Sequence, residues 1–132
     1  MNSLTIKKEQ LDQMIRHVSL HAPLEACGLL TGKGCLVEKV IEVRNQAQSP
    51  VRYVMDPRSQ LDAFQWIESQ GLDLLGIFHS HPHGPEIPSS TDIMEAAYEV
   101  VQVILVQRDQ AWHARGFWIE NGRFREVLLN VQ

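Results

Sequence analysis

Between residues 8 and 20, Leu11, Met14, Ile15 and Val18 recur three and four positions apart, the period of a helix that buries one face, and Pro23 lies beyond its end. Beyond Pro23 the pattern becomes that of extended chain. Residues 25–31 and 36–43 read as two strands joined at Gly32-Lys33-Gly34, a turn that would set Leu30, rather than Cys27, near Cys35. Polar residues 45–50 form a loop, and 51–55 read as a further short strand. Asp56-Pro57 opens a second helix, since proline suits the first helical position. Its apolar face is Leu61, Phe64 and Ile67 with Trp66 partly alongside, and Gly71 is placed to close it. Residues 72–78 are an apolar run of strand length. A helical region over 89–100 precedes the nearly continuous β-branched run 101–107, which suits a central strand buried on both faces. The last two strands, 112–119 and 123–131, flank Asn121-Gly122, a strong hairpin signal. Strands and helices mixed without strict alternation predict an α/β fold of the α+β layered kind, a mixed β-sheet with flanking helices.

With 132 residues and 44% apolar content, the chain has enough apolar surface for one real core and too little length for two ordinary domains, so residues 1–132 are expected to form a single domain. The opening residues lack the apolar core of a secretory signal, and no apolar run approaches membrane-spanning length, so a cytoplasmic location is expected by default. The net charge of −4, with no basic block, disfavours nucleic acid as the main partner.

The chemistry concentrates after the 72–78 run. His79 and His81 stand two apart on extended chain, where alternate side chains share a face, so both imidazoles can reach one ion. Pro82 cannot continue a strand ladder, and His83-Gly84-Pro85 with Pro88 turn the chain into a loop, so Asp92 returns from a separate element. Two imidazoles and one carboxylate leave a tetrahedral zinc ion an open position for water, as a catalytic site requires. Ser89-x-x-Asp92 ahead of Ile93-Met94 also reads as a helix capping box, which needs no metal, and the two roles are compatible.

His79-Ser80-His81-Pro82 with Ser89 and Asp92, together with Pro23-x-Glu25-x-Cys27-Gly28, Tyr53-x-Met55-Asp56-Pro57 and Gly76-Ile77-Phe78, resembles the JAMM (MPN+) zinc metallopeptidases, short prokaryotic members above all. The resemblance spans nearly the whole chain and implies a JAMM/MPN domain of cytidine-deaminase-like architecture. It implies one zinc ion per chain on His79, His81 and Asp92, with Glu25 as general acid/base and Ser89 stabilising the tetrahedral intermediate. From the residues alone Glu25 cannot be chosen over Glu86, Glu95 or Glu99. The resemblance further implies hydrolysis of an amide bond at the paired-glycine tail of a ubiquitin-like or sulfur-carrier protein. The alternatives are another small amide substrate or a non-catalytic MPN interaction module. A zinc nucleoside deaminase is disfavoured, because no Pro-Cys-x-x-Cys ligand pair is present.

The remaining candidates are bland. Cys27 and Cys35 read as small core thiols without a disulfide, although Cys27 shares a face with Glu25 on extended chain and could line the cleft. His17, His21 and His113 read as surface or packing residues, and Trp112, Phe117 and Trp118 as sheet packing. His83 stays open between substrate contact and solvent.

Overall fold

The computed structural model describes all residues, Met1–Gln132. In chain order the elements are β1 (Ser3–Ile6), α1 (Lys8–His21), β2 (Cys27–Lys33), β3 (Leu36–Val43), α2 (Pro57–Ser69), β4 (Asp73–His81), α3 (Ser90–Glu95), β5 (Val101–Arg108), β6 (Ala111–Glu120) and β7 (Arg123–Val131). The strands form one mixed sheet in the order β1-β3-β2-β4-β5-β6-β7, with β4 and β5 parallel. It closes on itself because β1 runs parallel to β7, Ser3 opposite Leu128 through Ile6 opposite Val131, and touches β3 through Thr5 and Leu36. The mixed sheet with flanking helices agrees with the sequence pattern; its closure was not legible there, because β1 has only four residues.

Strand alternation sorts the core into two halves. Ala26, Leu30, Phe78, Val101, Val103 and Leu105 pack with Met14 and Val18 of α1. The opposite face of the same strands carries Cys27, Leu29 and Ile77, which pack with Ala63 and Ile67 of α2. Both faces of the central strands are therefore covered, which accounts for their unbroken apolar runs. Gly28 is required by this arrangement: a Cβ there would lie 2.3 Å from the Phe78 ring and 2.5 Å from the Ile41 carbonyl oxygen.

Helix α2 begins as expected. The Asp56 carboxylate accepts from Ser59 N at 3.0 Å, Pro57 occupies the first turn, and Gly71 follows the end with φ +66°. Its apolar face differs by a fraction of a turn: Leu61 is exposed and Ala63 takes the buried place.

Several expectations fail. Residues 51–55 form no strand beyond one bridge between Asn45 and Met55. The Asn45 side chain replaces the ladder, its Oδ1 accepting from Ala47 N and Val54 N and its Nδ2 donating to the Arg52 carbonyl. The helix expected over 89–100 stops at Glu95, because α3 buries no side chain that would extend it. The β2–β3 turn is Gly34-Cys35, since Lys33 pairs with Leu36 and Leu30 with Val40. Cys35 is therefore an exposed turn residue rather than a core thiol, and both cysteines are free. Residues 25 and 26 precede β2 instead of belonging to it.

No helix is long and apolar enough to cross a membrane.

Candidate metal centre

Strand β4 runs through both histidines, and its alternation turns His79 and His81 to the α2 side of the sheet while Ser80 faces the other way. The Nε2 atoms of His79 and His81 lie 3.0 Å apart. Asp92 Oδ2 stands 3.2 Å from the first and 3.1 Å from the second. Donor atoms at 2.0–2.1 Å on a tetrahedral ion stand about 3.3 Å apart, so this triangle is close to the spacing such an ion imposes. Ligand atoms of Glu25, His79 and His81 also lie within 4.8 Å of one another, making a fourth approach to the same point. The tighter grouping is the one containing Asp92.

The donor set itself calls for a cation. His81 Nδ1 lies 2.7 Å from the Pro85 carbonyl, which can only accept, so Nδ1 carries a proton, and in the neutral ring Nε2 presents a lone pair. That lone pair faces a carboxylate oxygen and a second imidazole nitrogen, all nearly sealed from solvent: His79 and His81 are 1% and 3% exposed. Three acceptors at this separation repel unless a proton or a metal ion stands between them. Burial lowers the His79 pKa, against hydrogen-bonding and charge effects of Asp92 that raise it. Burial also pulls His81 down, but the Asp92 and Pro85 hydrogen bonds outweigh it and leave His81 above its ordinary value. Burial would raise Asp92, yet hydrogen bonds from both imidazoles hold its carboxyl well below the usual carboxylate range.

Glu25 reaches the cluster from a segment distant in sequence. Ser80 locks that segment to β4 twice: Ser80 N donates to the Ala26 carbonyl at 3.0 Å, and Ala26 N donates to Ser80 Oγ at 2.9 Å. Glu25 N donates to the Ser49 carbonyl, and its own carbonyl accepts from Asn45 Nδ2 at 3.0 Å. With its backbone held, Glu25 is 4% exposed and its Oε1 has no hydrogen-bond partner. Burial pushes it up to about 8, against the pull of His81. A carboxyl that changes protonation near neutrality is suited to receiving and returning a proton.

Asp92 is positioned by the cap. Asp92 N donates to Ser89 Oγ at 3.0 Å and Ser89 N donates to Asp92 Oδ2 at 2.9 Å, so the capping box and the cluster share one oxygen. The other glutamates are engaged elsewhere: Glu86 pairs with Arg108, Glu95 with Arg52 at 2.9 Å, and Glu99 is exposed. His83 is exposed in the 82–88 loop. Cys27 sits beneath the cluster, opposite His79, but does not line a cleft; it is fully buried, its thiol is pushed up to about 12 by burial, and it donates to the Val43 carbonyl. His17 is a packing residue, hydrogen-bonded to the Cys27 carbonyl at 3.0 Å.

Sequence reasoning gave no role to Ser80, Asn45 or Tyr53. The Tyr53 ring stacks on His79 with centroids 4.5 Å apart. Ser80 carried a usable signal, being a polar residue on the strand face that should be apolar.

A closed mixed sheet with two strand histidines and a helix-cap aspartate defines the JAB/MPN class of metalloprotease-like domains. Residues 7–119 match the family described as prokaryotic homologs of the JAB domain, and the chain belongs to that family. It is 40% identical to a desampylase of Pyrococcus furiosus, over 99% of this chain and 92% of that protein. It is 41% identical to a probable TtuB-protein conjugate cleaving protease of Thermus thermophilus, over 76% of this chain and 68% of that protein. Among solved structures, a Desulfitobacterium hafniense protein determined in solution superposes with a TM-score of 0.88 at 34% identity, covering 98% of this chain and 92% of the other. A JAB1/MPN domain protein from Archaeoglobus fulgidus shares the fold, with a TM-score of 0.62 at 20% identity and full coverage of both chains.

Proposed function

We propose that the chain is a zinc metallopeptidase that hydrolyses the amide bond after the C-terminal glycine pair of a ubiquitin-like or sulfur-carrier protein, within one domain spanning residues 1–132. The observation that carries this reading is the triangle of His79, His81 and Asp92 with the unpartnered Glu25 carboxyl beside it. The names of the relatives support the substrate class: a desampylase and a conjugate-cleaving protease, with a CysO-cysteine peptidase of Mycobacterium tuberculosis at 31% identity over 97% of this chain.

In this reading His79, His81 and Asp92 hold one zinc ion. When bound, zinc acidifies a water molecule and polarises the substrate carbonyl. Glu25 accepts that water's proton and later returns it to the departing amine, two roles that a single carboxyl with a raised pKa can fill in turn. Ser89 Oγ accepts from the Asp92 amide, which leaves its own proton free to stabilise the developing oxyanion. The nearly complete burial of the imidazoles strengthens each of these interactions by excluding competing water.

The test is mass spectrometry of zinc-loaded protein incubated with carrier proteins that bear a C-terminal extension. Products separated after the second glycine are expected. No mass change across a panel of carriers, with zinc bound stoichiometrically, would reject the reading.

A further inference from the structure

A cavity of about 270 Å³ adjoins the cluster, with Asp92 and Tyr53 in its wall. Its floor comes from the α2-facing side of the sheet, where Ile77 of β4 lies directly opposite Gln102 of β5. Gln102 interrupts a strand whose other residues from Val101 to Val106 are aliphatic, and it is only 5% exposed. A buried carboxamide should find hydrogen-bond partners in the protein. The Gln102 amide makes no hydrogen bond within the protein and opens onto the cavity it lines. Gln60 of α2 contributes a second amide to the wall, and Met55 and Ile77 supply apolar sides. The Arg52–Glu95 ion pair stands at the exposed rim.

The direction of the reaction places this cavity. Glu25 must face the departing amine to return a proton to it, and Glu25 is not among the cavity walls. The acyl side of the scissile bond therefore points away from Glu25, toward the wall that Asp92 and Tyr53 share. The Ile77–Gln102 floor lies two residues back along β4 from His79, about 7 Å of extended chain. An extended tail covers that distance in two residues. A tail whose last glycine carbonyl sits at the cluster thus sets the residue before the glycine pair over Gln102.

We propose that this cavity is a specificity pocket for the side chain immediately preceding the glycine pair, and that Gln102 and Gln60 select a neutral side chain carrying both hydrogen-bond donor and acceptor, glutamine above all. The inference rests on the peptidase reading and deepens it. Two amides can pair reciprocally with a third, and the apolar sides accept its methylene stem. A charged head on that floor would be desolvated against neutral partners and disfavoured.

The experiment uses ubiquitin-like fusions ending X-Gly-Gly before a short reporter peptide, with X as Gln, Ala, Leu, Lys or Glu. The wild-type protein is expected to favour Gln over Ala by about tenfold in kcat/KM, as one or two added hydrogen bonds allow. In Gln102→Leu, which keeps the volume and removes the amide, that ratio should fall toward one, and Gln60→Leu should lower it part of the way. The second arm measures anisotropy of labelled X-Gly-Gly peptides on zinc-loaded Glu25→Gln protein. A Gln preference in binding without cleavage sustains the pocket and overturns the peptidase reading. Equal rates and equal binding across all X, or a Gln:Ala ratio unchanged in Gln102→Leu, overturns the pocket.

Discussion

The two halves of the core share the same strands and are built to opposite ends. On the α1 side, Phe78, Met14, Val18 and Leu105 are sealed from solvent, and Gly28 gives up its side chain so that the Phe78 ring can lie against the backbone. On the α2 side the packing opens into a cavity, and two imidazoles, two carboxyls and a carboxamide gather there, whereas the α1 side buries Gln10 and His17, each tied to a backbone carbonyl. The first half carries the tighter apolar packing and the second the proposed chemistry, with β4 presenting one face to each. Buried polar groups survive on the open side because the closed side holds the strands in place.

The division is broken most severely by removing a proposed ligand. His81→Ala or Asp92→Ala should lose stoichiometric zinc and reduce kcat roughly 10³-fold or more, measured by elemental analysis beside kinetics. Glu25→Gln should retain zinc and lose about 10² to 10⁴ in kcat; an active variant would remove Glu25 from the mechanism. Ser89→Ala should cost about 10²-fold in kcat, together with about 1 kcal/mol from the lost cap, which thermal unfolding would resolve. Met14→Ala, on the closed side, should cost about 2–5 kcal/mol of stability while zinc stoichiometry stays at one, and a loss of metal there would show that the halves are not separable.

The smallest effect is a pH dependence of the metal-free protein. Glu25 has a folded pKa of about 8 against 4.5 for the free side chain, so its proton is held more tightly in the folded state. Its contribution to stability is complete below pH 4.5 and is lost as pH rises toward 8. Denaturation of metal-free wild type and Glu25→Gln across that range should diverge, the variant losing less stability with rising pH. Parallel curves would mean that Glu25 is solvated.

The histidine pair was legible because strand alternation is a local rule, and Asp92 because its cap has a local signature. Glu25 was not legible from the residues alone. Its approach depends on Ser80 clasping Ala26 across 54 residues of sequence, a contact that no local periodicity encodes. β1 escaped for the same reason, since four residues acquire meaning only by pairing with β7 at the other end of the chain. The false strand at 51–55 shows the converse: its residues suit extended chain, but the Asn45 amide claimed the backbone groups that a ladder would have used. Gln102 interrupts the otherwise aliphatic stretch from Val101 to Val106, and its meaning came only with the cavity it faces.

Helix α3 has six residues, buries none of them, and is fastened at its first turn through the Asp92 oxygen that also touches both imidazoles. A segment this short has no helical preference of its own in water, so whatever arrests that oxygen dictates whether residues 90–95 stay wound. Amide exchange in this one turn should therefore track zinc loading, giving a built-in gauge of holoenzyme that can be read without any substrate.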